Sequence, residues 1–163
     1  MKRFLLDLGA AIAASSAAAQ ACEPGLANVV SCKIGSKALQ VCAGSGQASY
    51  AYGPTGAPEL AITQRLEEVE ARAWNGVGRS IWEEIGFRNN EVTYTVWAAI
   101  DRLEEGNPMS GGVVVSRGET VLADLQCQAG TAQVSTFAVS EAFQAAGYCW
   151  DRAAERYTTS CDN

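Results

Sequence analysis

The chain has 163 residues, with 12 Lys and Arg against 18 Asp and Glu and a formal net charge of −6. Such a surface repels phosphate backbones and anionic lipid, and no basic cluster offsets it, so nucleic acid is excluded as a partner. Histidine is absent, which removes Ser–His and Cys–His nucleophile pairs and His-ligated zinc or haem together. No metal set and no cofactor are expected.

Lys2 and Arg3, the apolar run from Phe4 to Ala19, and the small residues of Ala19-Gln20-Ala21 form the three-part pattern of a secretory signal peptide over residues 1–21. Cleavage is expected before Cys22. The run is shorter than the ~20 apolar residues a membrane span needs, so no stable transmembrane segment is expected after processing. The expected location is periplasmic or secreted. Residues 22–163 then form a single β-rich domain with ten basic and seventeen acidic side chains, a net charge of −7, a charge that attracts a cationic secreted protein.

A lipidated Cys22 is the alternative. Ala19 stands where a bacterial lipoprotein usually carries Leu, and lipidation would leave five cysteines. The even set Cys22, Cys32, Cys42, Cys127, Cys149 and Cys161 is expected to pair in an oxidising compartment. Of the fifteen possible connectivities, a Cys32–Cys42 bond across the first hairpin is the expected element. No C-x-x-C redox pair is present.

In chain order, residues 27–34 and 38–42 read as strands around the Gly35-Ser36 turn. Gln47 to Tyr52 is a third strand, with Tyr50 and Tyr52 on one face. Glu59 to Ile62 reads as a short strand followed by a loop or one helical turn. Asn89-Asn90 suits a two-residue turn, because Asn tolerates positive φ. Opposed partners then sum to 179, setting Phe87 against Val92, Glu83 against Val96, Arg88 against Glu91 and Trp82 against Trp97.

A third hairpin spans Val113 to Cys127. Ser135 or Ser140 is placed to cap a helix that runs to Ala146 and stops at Gly147. A short helical piece is expected around Ala153, Ala154 and Tyr157. The expected class is mainly β: a small antiparallel barrel or sandwich with a C-terminal helix, stabilised by disulfides.

Glu83 is the best placed carboxylate for a paired-carboxylate glycan hydrolase, against an edge position or an ion pair with an arginine. Arg79, between Gly78 and Ser80, either reaches a ligand carboxylate or ties two strand ends together. Ser110, opening Ser110-Gly111-Gly112, begins either a turn that enters a partner's cleft or a plain strand entry. Trp74, Trp82, Trp97, Tyr50 and Tyr52 make either a stacking surface for a sugar or protein, or a cap on the core.

The runs Tyr52-Gly53, Gly56-Ala57-Pro58-Glu59-Leu60, Trp74 to Trp82 and Tyr94-Thr95-Val96 resemble a family of small exported proteins of Gram-negative bacteria. That resemblance covers roughly Cys32 to Cys127 and implies export and a β-fold. More loosely, the chain is similar to periplasmic lysozyme inhibitors. In the membrane-bound C-type inhibitors a Ser-Gly-x-x-Tyr loop enters the lysozyme cleft. Here Ser110-Gly111 is followed by Gly112-Val113-Val114, without the tyrosine. The expectation is a non-enzymatic binding or inhibitor-like protein of the cell envelope, possessing a protein partner. Envelope scaffold is the alternative, and a glycan hydrolase a further one.

Overall fold

The computed structural model describes residues 21–161; the expected signal peptide lies almost wholly outside them. The strands are β1 (Ala27–Ile34), β2 (Lys37–Gly44), β3 (Gln47–Gly53), β4 (Leu60–Arg65), β5 (Glu70–Arg72), β6 (Ser80–Asn89), β7 (Val92–Asp101), β8 (Met109–Arg117), β9 (Thr120–Gln126), β10 (Gln133–Val134), β11 (Cys149–Asp151) and β12 (Arg156–Thr158). A 3₁₀ turn spans Leu66–Glu68, and the helix α1 spans Ala138–Ala145.

Two five-stranded antiparallel sheets, ordered β10-β1-β2-β3-β4 and β5-β6-β7-β8-β9, share one core. Val30, Leu39, Val41 and Tyr50 face Ile85, Phe87, Val96 and Val113 across it. The Tyr50 ring meets Phe87 and Tyr94 at 5.7 and 5.5 Å between centroids. The arrangement is a sandwich, and the barrel alternative is corrected: among the described residues no ladder closes the two sheets into one. The 3₁₀ turn, anchored by buried Leu66 and Val69, carries the chain off the first sheet, and β5 joins β6 of the second.

Side chains and a disulfide close the seams instead. On one side the Gln64 amide donates to the Arg88 carbonyl and accepts from its N–H, both at 3.1 Å. On the other, Cys32 of β1 is bonded to Cys127 just after β9.

The expected Cys32–Cys42 bond is therefore a correction. Adjacent strands bring Cys32 opposite Leu39 and Cys42 opposite Asn28, so the two sulfurs never meet. Cys42 instead bonds Cys22, and Cys149 bonds Cys161. Three formed disulfides fit an oxidising, non-cytoplasmic setting, and no helix among the described residues is long and apolar enough to cross a membrane.

The central hairpin forms with a register two residues along from the expected one. Asn90 takes φ 55° and Glu91 follows it in the turn, so Phe87 opposes Tyr94, Ile85 opposes Val96 and Glu83 opposes Ala98. A slip of two keeps every residue on its own face while changing its partner. Trp82 consequently opposes Ala99 and Trp97 opposes Glu84, which separates the expected tryptophan pair. Arg88 opposes Thr93 and binds Glu70 at 2.8 Å rather than Glu91. The observed register brings Asp101 into the ladder opposite Ser80.

The expected helical piece at 153–157 is also corrected. Asp151 Oδ1 accepts from the Ala153 and Ala154 N–H groups at 2.9 and 3.0 Å, and Glu155 takes φ 48°. The chain thereby turns back as the β11–β12 hairpin, a local side-chain alternative to helix.

Because the Cys32–Cys127 bond closes a separation of 95 residues, the double variant C32A/C127A is expected to lose about 4–5 kcal/mol in urea unfolding under the chain-entropy relation. C149A/C161A, closing a separation of 12, is expected to lose about 3 kcal/mol.

Candidate functional site

Glu83 is 4% exposed, on the inner face of β6. Its Oε2 accepts from the Val139 N–H at 3.0 Å, and its Oε1 accepts from the Ser140 N–H at 2.9 Å and from the Ser140 hydroxyl. The Tyr157 hydroxyl donates to Ser140 Oγ at 2.9 Å. Neither expected serine caps α1 in the usual manner. Phe137 stands at the N-cap position in the left-handed region at φ 65°, with no side-chain cap of its own. The Glu83 carboxylate, reaching over from the sheet, satisfies amides that would otherwise be orphaned.

This identifies the bland role that sequence reasoning missed: neither an edge residue nor an arginine partner, but a cap supplied from another element. Burial pushes the Glu83 carboxyl above the ordinary carboxylate range, the Ser140 and Val139 hydrogen bonds pull it back part of the way, and Glu141 adds a like charge. Burial likewise raises the Tyr157 phenol.

Arg79 is engaged with Asp101 and with Glu104, tying the start of β6 to the end of β7. The guanidinium beside it holds Asp101 below the ordinary carboxylate range. Tyr50, 2% exposed, belongs to the core, and burial raises its phenol. Tyr52 is half-buried on the first sheet under Lys37, 5.3 Å from its ring centroid. Neither tyrosine approaches the tryptophans.

Ser110 and the two glycines after it lie within β8 rather than in a protruding turn. Gly112 is required by close approach: a methyl there would come 2.5 Å from the Leu125 carbonyl oxygen and 2.9 Å from the Trp97 indole nitrogen.

The tryptophans behave differently. Alternation puts Trp82, Trp97 and Ser110 on the outer face of the second sheet. Trp82, Ala99 and Ser110 lie in one row across three strands, with Trp97 diagonal to Trp82. Trp74 reaches the same region from the loop before β6, where Asn75 Oδ1 accepts from the Val77 N–H at 3.1 Å and the Trp74 indole N–H donates to the Val77 carbonyl at 2.8 Å.

Trp150, which the sequence reading did not single out, arrives on the C-terminal hairpin. There its indole meets Tyr157 edge-on at 5.1 Å, and Tyr157 stacks on Phe143 of α1 at 4.2 Å. Trp74, Trp82 and Trp150 line one concavity of 150 Å³, together with Arg72, Asn75, Arg152 and Glu155. Arg72 lies 5.9 Å from the Trp82 ring centroid and pairs with Glu84 and Glu155 at 3.6 and 3.3 Å. A larger cleft of 550 Å³ continues beyond that bridge and shares Arg72 and Glu155.

The arrangement offers stacking faces and guanidinium donors, a recognition chemistry. Among the described residues no group of His, Cys, Asp or Glu is placed to hold a metal ion. No family model, curated protein or solved structure matches the chain.

With its folded-state pKa above the ordinary value of 4.5, Glu83 favours the folded state in its protonated form. That stabilisation is complete below pH 4.5 and is lost as pH rises through the raised folded value. Glu68 and Asp101, both lowered, act with the opposite sign at more acid pH, so the difference between wild type and Glu83→Gln isolates the effect. The variant is expected to lose about 1–3 kcal/mol at pH 7, because its amide turns donors toward donors, and to lack wild type's fall in urea midpoint above pH 4.5.

Proposed function

We propose that this chain is an exported, non-catalytic binding protein of the cell envelope, working in the periplasm or outside the cell. The observation that supports it is the placement of the tryptophans. All four in the chain leave the core to smaller side chains and stay half-buried. Three of them line the same concavity. Aromatic side chains clustered at the surface are characteristic of interaction sites. The Glu83 carboxylate, the best acid for a hydrolase, is occupied in holding a helix.

The lysozyme-inhibitor form of this reading keeps the support of the acidic charge. With Ser110 in a strand, the contact it requires falls to the tryptophan face. The scaffold alternative draws on edge strand β9, where Val121 and Leu122 are 60% and 50% exposed, the kind of edge that pairs with another chain.

The oxidised protein should be offered a lysozyme panel and purified peptidoglycan sacculi, beside Trp82→Ala. Retention of either ligand by wild type, reduced at least about tenfold in the variant at an unchanged melting temperature, is the expected result. Binding indifferent to Trp82→Ala, combined with self-association on size exclusion, transfers the function to the β9 edge.

A further inference from the structure

The concavity between Trp74, Trp82 and Trp150 has a ligand sign as well as a shape. The inference rests on the binding reading above and names the ligand class. Of the two guanidiniums in the lining, Arg72 is paired with Glu84 and Glu155, so the uncompensated charge at the wall is the positive one of Arg152, in a chain whose net charge is −6.

That sign decides between the two ligands an aromatic box accepts. An ammonium group is attracted by π-faces, but Arg72 already occupies the Trp82 side, and a second cation would meet its repulsion. An anion meets attraction instead. Arg72 is held by Glu84 and Glu155. Arg152, exposed on the loop after Trp150, has no carboxylate within ion-pair reach among the described residues. Of the two arginines in the lining it is the one available to a ligand.

Size narrows the class further. The 150 Å³ concavity is well below the ~300–1,000 Å³ of sites for drug-sized molecules, which suits one ring with an edge left in water. A sugar ring presents apolar C–H faces for indoles and a hydroxyl edge for solvent. The adjoining cleft that shares Arg72 and Glu155 gives further units of an oligosaccharide a path. We propose that this concavity binds an acidic sugar ring, stacked on the indoles with its carboxylate or phosphate group on Arg152.

The site is largely pre-formed, which lowers the ordering cost of binding. The Arg72–Glu155 pair, the Asp151 turn and the Cys149–Cys161 bond fix the hairpin wall, and the Asn75 turn fixes Trp74.

The test is intrinsic tryptophan fluorescence of the full oxidised chain, titrated with glucuronate, glucose 6-phosphate and glucose, for wild type, Arg152→Gln and Trp82→Ala. Glucuronate or glucose 6-phosphate is expected to bind at least about tenfold more tightly than glucose, with a preference that shrinks as salt rises. Arg152→Gln is expected to bring the acidic sugar to the level of glucose without altering the melting temperature. The tighter of the two anions identifies carboxylate or phosphate as the recognised group.

Equal binding of all three sugars, or an anion preference that survives Arg152→Gln, overturns the acidic-sugar proposal while leaving the tryptophan face as a binding site. Absence of any sugar binding overturns it as well. The binding reading itself then stands or falls on whether Trp82→Ala abolishes retention of lysozyme or sacculi.

Discussion

The buried carboxylate of Glu83 is the contact on which the arrangement of the C-terminal third depends. An eight-residue helix has too few turns to hold itself in water, and α1 begins at Phe137 without a cap of its own. Its first amides are donors that cannot be buried unpaired, and a buried carboxylate needs donors to stay inside. Each deficit answers the other, so the helix docks where Glu83 is. Breaking such a pair from one side leaves an uncompensated polar group, which is why the contact specifies position as well as adding stability. The chain of hydroxyls from Glu83 through Ser140 to Tyr157 then places the hairpin, and the hairpin places Trp150.

Around this contact the core is made from aliphatic and medium-sized aromatic side chains. The tryptophans lie outside it, and that is informative because burying an indole is among the larger apolar gains open to a chain. Where the largest side chains remain at the surface, each fixed by a neighbour, recognition is the natural use. Trp74 is anchored through Val77, Trp82 under Arg72 and Trp150 against Tyr157. Rigid aromatic faces lose little entropy on binding.

The acidic character of the whole chain and the unpaired guanidinium of Arg152 at this one concavity are compatible. Net charge governs long-range encounter and solubility, whereas Arg152 acts over the few ångströms in which a charge-assisted hydrogen bond forms. A cationic protein would be steered by the former and an acidic sugar held by the latter.

Much of the β-framework was legible in the sequence. Alternation and Gly- or Asn-containing turns located β1, β2, β3 and the central hairpin, because a strand with one buried face must alternate and a tight turn must contain residues tolerant of its dihedrals. The same period of two made the hairpin register ambiguous, since a slip by two leaves Phe87, Ile85 and Glu83 on the inner face and only exchanges their partners. Two of the five aromatic candidates, Trp74 and Trp82, line the concavity, Trp97 lies diagonal to Trp82 on the same sheet face, and Tyr50 and Tyr52 belong to the other sheet, a division that no local pattern records. The sequence by itself determined strand content, faces, the even cysteine set and the charge, all consequences of short-range periodicity and composition. Only the tertiary structure decided which cysteines bond, that Glu83 caps a helix 56 residues away, and that Trp150 completes the concavity, because these depend on how separate elements pack together.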